Sequence, residues 1–298
     1  MPCFHPLSAY RSRAGRDPNT GSWPIVFNVR EGYIDMPVQV PCGQCIGCRL
    51  ERSRQWAIRC MHESSLHEDN CFLTLTYDNA HLPADGSLNK RDICLFLKRL
   101  RKRFGSGIRF FQCGEYGSLF QRPHHHAIIF GFDFPDKKLW FINHGVKLYR
   151  SQILEELWPF GYCTIGSVTF ESAAYVARYI IKKVNGDRAK SHYNGRLPEF
   201  ITMSRRPGIA HDWIQEFSTD VYPGDRCVVR PGFVARPPKY YDKIFDLTNH
   251  EVFSKIKNRR ILKAKESEDN CLYRLAAREG VQKARMEKLV RKFENGSV

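Results

Sequence analysis

Two histidines of a consecutive trio, His124-His125-His126, and two tyrosines, Tyr175 and Tyr179, are the residues whose types and spacing could do chemistry. Residues 122–131 read as a strand. Successive strand side chains point to opposite faces, so His124 and His126 share one face and His125 takes the other. Residues 175–183 read as a helix, where positions i and i+4 share a face. Tyr175 and Tyr179 therefore stand one turn apart, with Lys182 and Lys183 on the following turn. Paired imidazoles can ligate a metal, and paired phenols can attack phosphorus in turn. The combination points to metal-dependent chemistry in which the protein joins itself to DNA through tyrosine.

Two imidazoles need a carboxylate to complete a site. Glu115, in Gly114-Glu-Tyr-Gly117, is the best candidate, because it ends the preceding strand and a hairpin would bring it near His124 and His126. The plainer reading of Glu115 is an exposed acid at a strand end. A His₂-carboxylate site with open positions suits a catalytic divalent ion. Mg²⁺ or Mn²⁺ would match phosphate oxygens, and the same ligands would also accept Zn²⁺. A tyrosine with an ordinary pKa of about 10 is a weak nucleophile. A nearby cation and Lys182 or Lys183 would favour its phenolate. Taken alone, Tyr175 and Tyr179 beside Val176 and Ile180 would be a core-facing stripe; the histidine strand shifts the balance.

Positioning these groups requires an ordered series of elements. Residues 71–77 are β-branched and aromatic and read as a strand. Asn89 starts a helix to about 104, with Ile93, Phe96, Leu97 and Leu100 as its apolar stripe, ended by Gly105. Strands follow over 108–116 and 123–130, then a short helix over 151–158 and a strand over 161–168. Thr169 caps the tyrosine helix. The order βαββαβ predicts an α+β fold: a ferredoxin-like antiparallel sheet with helices packed on one face, followed by the tyrosine helix.

Around this core the pattern is weaker. Residues 1–41 are rich in proline and read as irregular, and a basic helix is expected over 51–63. Residues 186–245 hold many turn residues, and 254–293 read as basic helix. The expected division is an N-terminal extension over 1–63, a βαββαβ core over 64–185 and a basic C-terminal region over 186–298.

The chain has 298 residues, 42% of them hydrophobic, and a net charge of +16. That is enough apolar content for a real core and argues against wholesale disorder. The charge calls for a polyanionic partner, nucleic acid first and an anionic membrane surface second. Residues 254–298 carry thirteen Lys and Arg against six Asp and Glu, so nonspecific DNA attraction is concentrated there. No run of about 18 apolar residues offers a spanning helix, and no secretory signal is visible.

Eleven cysteines with no export signal favour reduced thiols and metal binding over disulfides. Cys42, Cys45 and Cys48 form a double C-x-x-C spacing that suits structural Zn²⁺, with the fourth ligand open among Cys3, His5 and Cys60. Free thiols in a loop are the alternative. Cys71, Cys94, Cys113 and Cys163 fall in apolar stretches and read as small core residues.

His-x-His followed by Tyr-x-x-x-Tyr with trailing lysines resembles the HUH (His-hydrophobe-His) endonucleases of rolling-circle replication. With Cys42-Gly-Gln-Cys-Ile-Gly-Cys48, Phe72-Leu-Thr-Leu-Thr-Tyr77, Gly114-Glu-Tyr-Gly117 and Arg122-Pro-His-His-His126, the chain resembles the replication initiators of the gokushovirus group of small single-stranded DNA phages. The resemblance runs over most of 40–185. It implies a site-specific nick in phage origin DNA, single-stranded at the nick. The tyrosine becomes linked to the 5′ phosphate, and the free 3′ hydroxyl is extended by host replication machinery, in the host cytoplasm and without a membrane. It also implies later strand rejoining. His124 and His126 match the ligand pair, Tyr175 and Tyr179 the nucleophiles, and Glu115 the third ligand of related enzymes. The middle position, apolar in the family's name, is His125 here, which leaves a different ligand pair open. A relaxase or single-strand transposase would use similar chemistry on another DNA. A non-catalytic zinc-dependent nucleic-acid-binding protein would need the cysteines and not the tyrosines.

Overall fold

The computed structural model describes residues 3–18, 23–117, 120–143, 145–182, 184, 186, 188–266 and 268–287, with the backbone alone described at 143, 179–182 and 188. In chain order the elements are β1 (Leu7–Ser12), β2 (Ile25–Val26), β3 (Gly32–Val40), α1 (Ile46–Ser64), β4 (Asn70–Thr76), α2 (Lys90–Phe104), β5 (Arg109–Tyr116), β6 (Pro123–Phe130), β7 (Lys138–Asn143), β8 (Val146–Arg150), α3 (Gln152–Leu157), β9 (Cys163–Gly166) and α4 (Phe170–Lys182). Then follow α5 (Arg188–Tyr193), β10 (Phe200–Met203), α6 (His211–Glu216), α7 (Ser218–Val221), β11 (Cys227–Arg230), β12 (Phe233–Ala235), α8 (Lys239–Thr248), α9 (His250–Lys265) and α10 (Leu272–Glu287).

The chain divides into two units, one of Met1–Glu51 with Leu262–Leu289 and one built on Arg52–Ile261. The larger holds a seven-stranded sheet in the order β10-β5-β6-β4-β9-β8-β7, with every neighbouring pair antiparallel. The elements expected over 71–130 and 151–168 correspond to β4, α2, β5, β6, α3 and β9. Asn89 caps α2 by accepting the Arg91 N–H at 2.9 Å, and Ser151 caps α3 through the Leu154 N–H at 3.1 Å. Thr169 accepts the Ser172 N–H at 3.1 Å at the start of α4.

Strand alternation sorts the side chains onto two faces. Leu73, Leu75 and Ile129 pack with the stripe of α2 (Ile93, Phe96, Leu100) and with Leu154 of α3. Phe72, Phe111, Ile128 and Phe130 pack on the other side, against Ile58 of α1 and Val176 of α4. The helices between the core strands thus share one face, as expected, but α1, α4, α6 and α8 cover the second, so both faces are buried. This is why β6 (Pro-His-His-His-Ala-Ile-Ile-Phe) has almost no exposed position.

Three segments differ from the sequence reading. Residues 1–41 hold a small sheet ordered β2-β1-β3 rather than irregular chain; β3 lies at its edge, where Pro37 is tolerated. A hairpin, β7–β8, extends the main sheet. Beyond residue 185, β10 pairs with β5, and Tyr241, Phe245 and Phe253 enter the same core as α4. These contacts group the chain differently from the expected ranges 1–63, 64–185 and 186–298. The basic helix expected over 254–293 is divided between α9 and α10, and residues 288–293 lie outside those described. Cys94 is exposed on α2 rather than in the core, while Cys71, Cys113 and Cys163 are buried.

Candidate metal and tyrosine site

Register places the site. Across β5–β6, Glu115 stands directly opposite His124 and Cys113 opposite His126. Across β4–β6, Thr74 stands opposite His126 and Thr76 opposite His124. Directly paired residues point to the same side, so Glu115, His124, His126 and Thr74 all face α4. Glu115 Oε1 lies 2.8 Å from His124 Nε2 and 2.7 Å from His126 Nε2. Glu115 and His126 are buried, and 14% of the His124 side chain remains exposed. The cluster therefore opens toward solvent on the His124 side.

The outer ring nitrogens are held too. His124 Nδ1 donates to the Arg122 carbonyl at 3.0 Å, and His126 Nδ1 lies 3.0 Å from the Thr74 hydroxyl. A carbonyl only accepts, so His124 Nδ1 carries a proton, and its Nε2 faces the Glu115 carboxylate. Two inward nitrogens and a carboxylate are a donor set that fits a divalent ion, and the three ligand atoms lie within 4.8 Å of one another. Burial would raise the Glu115 pKa, but the hydrogen bonds from His124 and His126 outweigh it and hold the carboxyl down at about 2.

Tyr175 reaches the same atom. Its hydroxyl lies 3.3 Å from Glu115 Oε1, and its ring stands edge-on to His126 with centroids 5.0 Å apart. It lies in the first half of α4 and is itself buried, in the same core cluster as Ala173, Val176 and Ala177. Tyr179 and Lys182 lie on α4, but their side chains are outside those described, and Lys183 lies outside the described residues.

His125 points away from this cluster. It is buried on the α2–α3 face, edge-on to Tyr77 and Trp158, with Nε2 3.4 Å from the Tyr77 hydroxyl. Burial pushes its pKa down to about 3, so it is neutral. A ligand pair that includes His125 is not the arrangement adopted. Its register partner is Gly114, where a Cβ would come within 2.7 Å of the Phe200 ring.

Cys42, Cys45 and Cys48 also come together, in the smaller unit, and Cys3 joins them; all four sulfurs lie within 4.8 Å of one another. Cys60 is instead buried in the core of the larger unit, and His5 is exposed and pairs with Glu279 at 2.9 Å. Sequence reading missed Thr74 and the Arg122 carbonyl, whose roles arise from cross-strand register and a turn. The signal for Thr74 lay in the alternation of 71–77 once paired with 123–130.

The family model for replication-associated protein ORF2/G2P matches residues 70–184, the stretch from β4 to the end of α4. The chain is 34% identical over 276 residues to replication-associated protein VP4 of Bdellovibrio phage phiMH2K, covering 89% of this chain and 84% of that one. It is 31% identical to replication-associated protein ORF2 of Spiroplasma virus 4, over 82% of this chain and 80% of that one. It is 35% identical to replication-associated protein ORF4 of Chlamydia phage 1, over 68% of this chain and 52% of that one. No solved structure matches the chain.

Proposed function

The chain belongs to the replication-associated proteins of Microviridae phages, and from that premise we propose that it initiates rolling-circle replication by nicking origin DNA through a tyrosine. The observation that carries this reading is the Tyr175 hydroxyl set against the Glu115–His124–His126 cluster. We further read the four strands β5-β6-β4-β9, joined in the order βαββαβ, as a ferredoxin-like HUH core.

In this reading His124, His126 and Glu115 hold a divalent ion, Mg²⁺ or Mn²⁺. Bound there, the ion would neutralise charge on the non-bridging phosphate oxygens and orient the phosphate for in-line attack. The remaining work belongs to the chain. The Tyr175 oxygen attacks phosphorus, the bond to O3′ breaks, and the 5′ phosphate becomes esterified to tyrosine. The strand end released is a 3′ hydroxyl, the group a host polymerase extends. The phosphotyrosyl bond conserves the energy of the broken linkage, so a later 3′ hydroxyl can displace the tyrosine and reseal the strand. On sequence spacing, Tyr179 is the second nucleophile, one helical turn on, and Lys182 and Lys183 add positive charge that favours phenolate and phosphate alike.

The partners are origin DNA, single-stranded at the nick, and the host replication machinery in the host cytoplasm. The net charge of +16 supports a polyanionic partner, and among the described residues no helix is long and apolar enough to cross a membrane. The test is incubation with origin-bearing single-stranded DNA and Mn²⁺, followed by a denaturing gel. A slower, covalent protein–DNA band that requires both the ion and the tyrosines supports the reading. Binding without any adduct would favour a non-catalytic nucleic-acid-binding protein.

A further inference from the structure

The smaller unit holds a second cluster whose chemistry the nicking reading does not use. Its assembly follows from strand register. β1 and β3 pair antiparallel with Leu7 opposite Val40, so the chain just before β1 and the chain just after β3 leave the sheet side by side. Cys3 lies in the first of these segments and Cys42 in the second. Cys45 immediately precedes α1 and Cys48 lies in its first turn. A separation of 39 residues in sequence thereby becomes 3.7 Å between the sulfurs of Cys3 and Cys42. Cys45 Sγ is 4.0 Å from Cys3 Sγ.

These spacings have a specific meaning. Four sulfurs about 2.3 Å from one tetrahedral zinc ion stand about 3.8 Å from each other. A disulfide would need about 2.05 Å, and all four cysteines are free thiols. The sulfurs also accept backbone hydrogen bonds: Phe4 N–H to Cys45 Sγ, Cys42 N–H to Cys3 Sγ and Cys45 N–H to Cys42 Sγ, each 3.3 Å. Such donors stabilise thiolate charge. Phe4, Ile46 and Leu275 pack around the sulfurs, with Cys3 and Cys45 buried and Cys42 and Cys48 half-buried. Four unpaired thiols turned toward one another in a small apolar shell have little reason to converge without an ion between them.

We propose that Cys3, Cys42, Cys45 and Cys48 form a closed structural zinc site, separate from the carboxylate–imidazole cluster, with Cys3 as the fourth ligand that sequence spacing left open. With no position left for water or substrate, the ion is not catalytic. It clasps the amino-terminal segment to the loop after β3 and the start of α1, and supports the packing of Leu275 in α10. Much of the stability of this small unit then comes from the metal, since its apolar cluster is slight.

The test is metal analysis of the full-length chain carrying His124→Ala and His126→Ala, so that the other cluster does not contribute. One zinc per chain is expected. Adding Cys3→Ser should reduce it at least several-fold, and Cys60→Ser should leave it unchanged. Should Cys3→Ser not fold, Co²⁺ exchanged into the histidine-free chain provides an independent readout: tetrahedral d–d bands with intense thiolate charge transfer near the ultraviolet. Full zinc retained by Cys3→Ser, a cobalt spectrum without thiolate bands, or iron with visible absorbance in place of zinc would each overturn the proposal. Failure here leaves adduct formation at Tyr175 untouched, so the two readings fall separately.

Discussion

Glu115 and His124 face each other directly across β5–β6, and their Oε1 and Nε2 atoms stand 2.8 Å apart. The same Glu115 oxygen meets His126 Nε2 and the Tyr175 hydroxyl. One carboxylate oxygen is thus the point at which two strands and a helix converge. Replacing Glu115 with Ala removes the carboxylate while leaving both imidazoles in place. Nicking of single-stranded origin DNA at saturating Mn²⁺ is expected to fall at least 100-fold, a loss of about 3 kcal/mol in barrier terms. An unchanged rate would place the ion elsewhere.

Thr74 holds the outer nitrogen of His126 at 3.0 Å. Outer-shell partners of metal-bound histidines typically contribute about 10- to 100-fold in metal affinity or activity. Thr74→Val should therefore raise the Mn²⁺ concentration needed for half-maximal nicking by about that factor, and Thr74→Ser should restore it. A pure packing role for Thr74 would instead leave the metal dependence alone and lower the thermal midpoint.

Much of this site was legible from residue types. The alternation argument put His124 and His126 on one face, and Asn89 and Thr169 marked the starts of their helices, because those signals are local. What was not legible depends on distant partners. β10 has only four residues, and its strand identity comes from pairing with β5. β3 contains Pro37, which reads as a breaker until the strand is seen at a sheet edge. The choice of Cys3 over His5 and Cys60 needed the β1–β3 register. Cys94 is a different case: the apolar stretch around it reads as core, although the helix period that buries Ile93 and Leu97 already turns it outward.

His62 gives the larger unit an acid-sensitive contact. Its Nε2 donates to the Val228 carbonyl at 3.1 Å and its Nδ1 accepts from the Tyr241 hydroxyl at 2.9 Å, with Trp213 stacked on the ring. Burial holds its pKa down at about 4, below the unfolded value of about 6.5. Between those values the unfolded chain binds the extra proton. The contribution is therefore complete above pH 6.5 and is lost as pH falls toward 4, by about 3 kcal/mol in all. Urea midpoints of the wild type should drop between pH 7.5 and 5, and His62→Gln, less stable at pH 7.5, should show a shallower drop. Parallel slopes would contradict this account.

Leu100 is fully buried where α2 meets the sheet. Leu100→Ala should destabilise the larger unit by about 2–5 kcal/mol through lost burial and the cavity left behind. Equilibrium urea unfolding measures this directly; a change under 1 kcal/mol would mean that α2 is not packed as described.

The central claim is that a tyrosine of α4, at the Glu115–His124–His126 cluster, forms the bond to DNA. Its most direct test is mass spectrometry of the peptide from a trapped DNA adduct. The account predicts a nucleotide mass on the peptide bearing Tyr175 or Tyr179, with Tyr175 modified in the first turnover and no adduct from the Tyr175→Phe, Tyr179→Phe chain. An adduct that persists in that double variant, or one mapped outside α4, would contradict it.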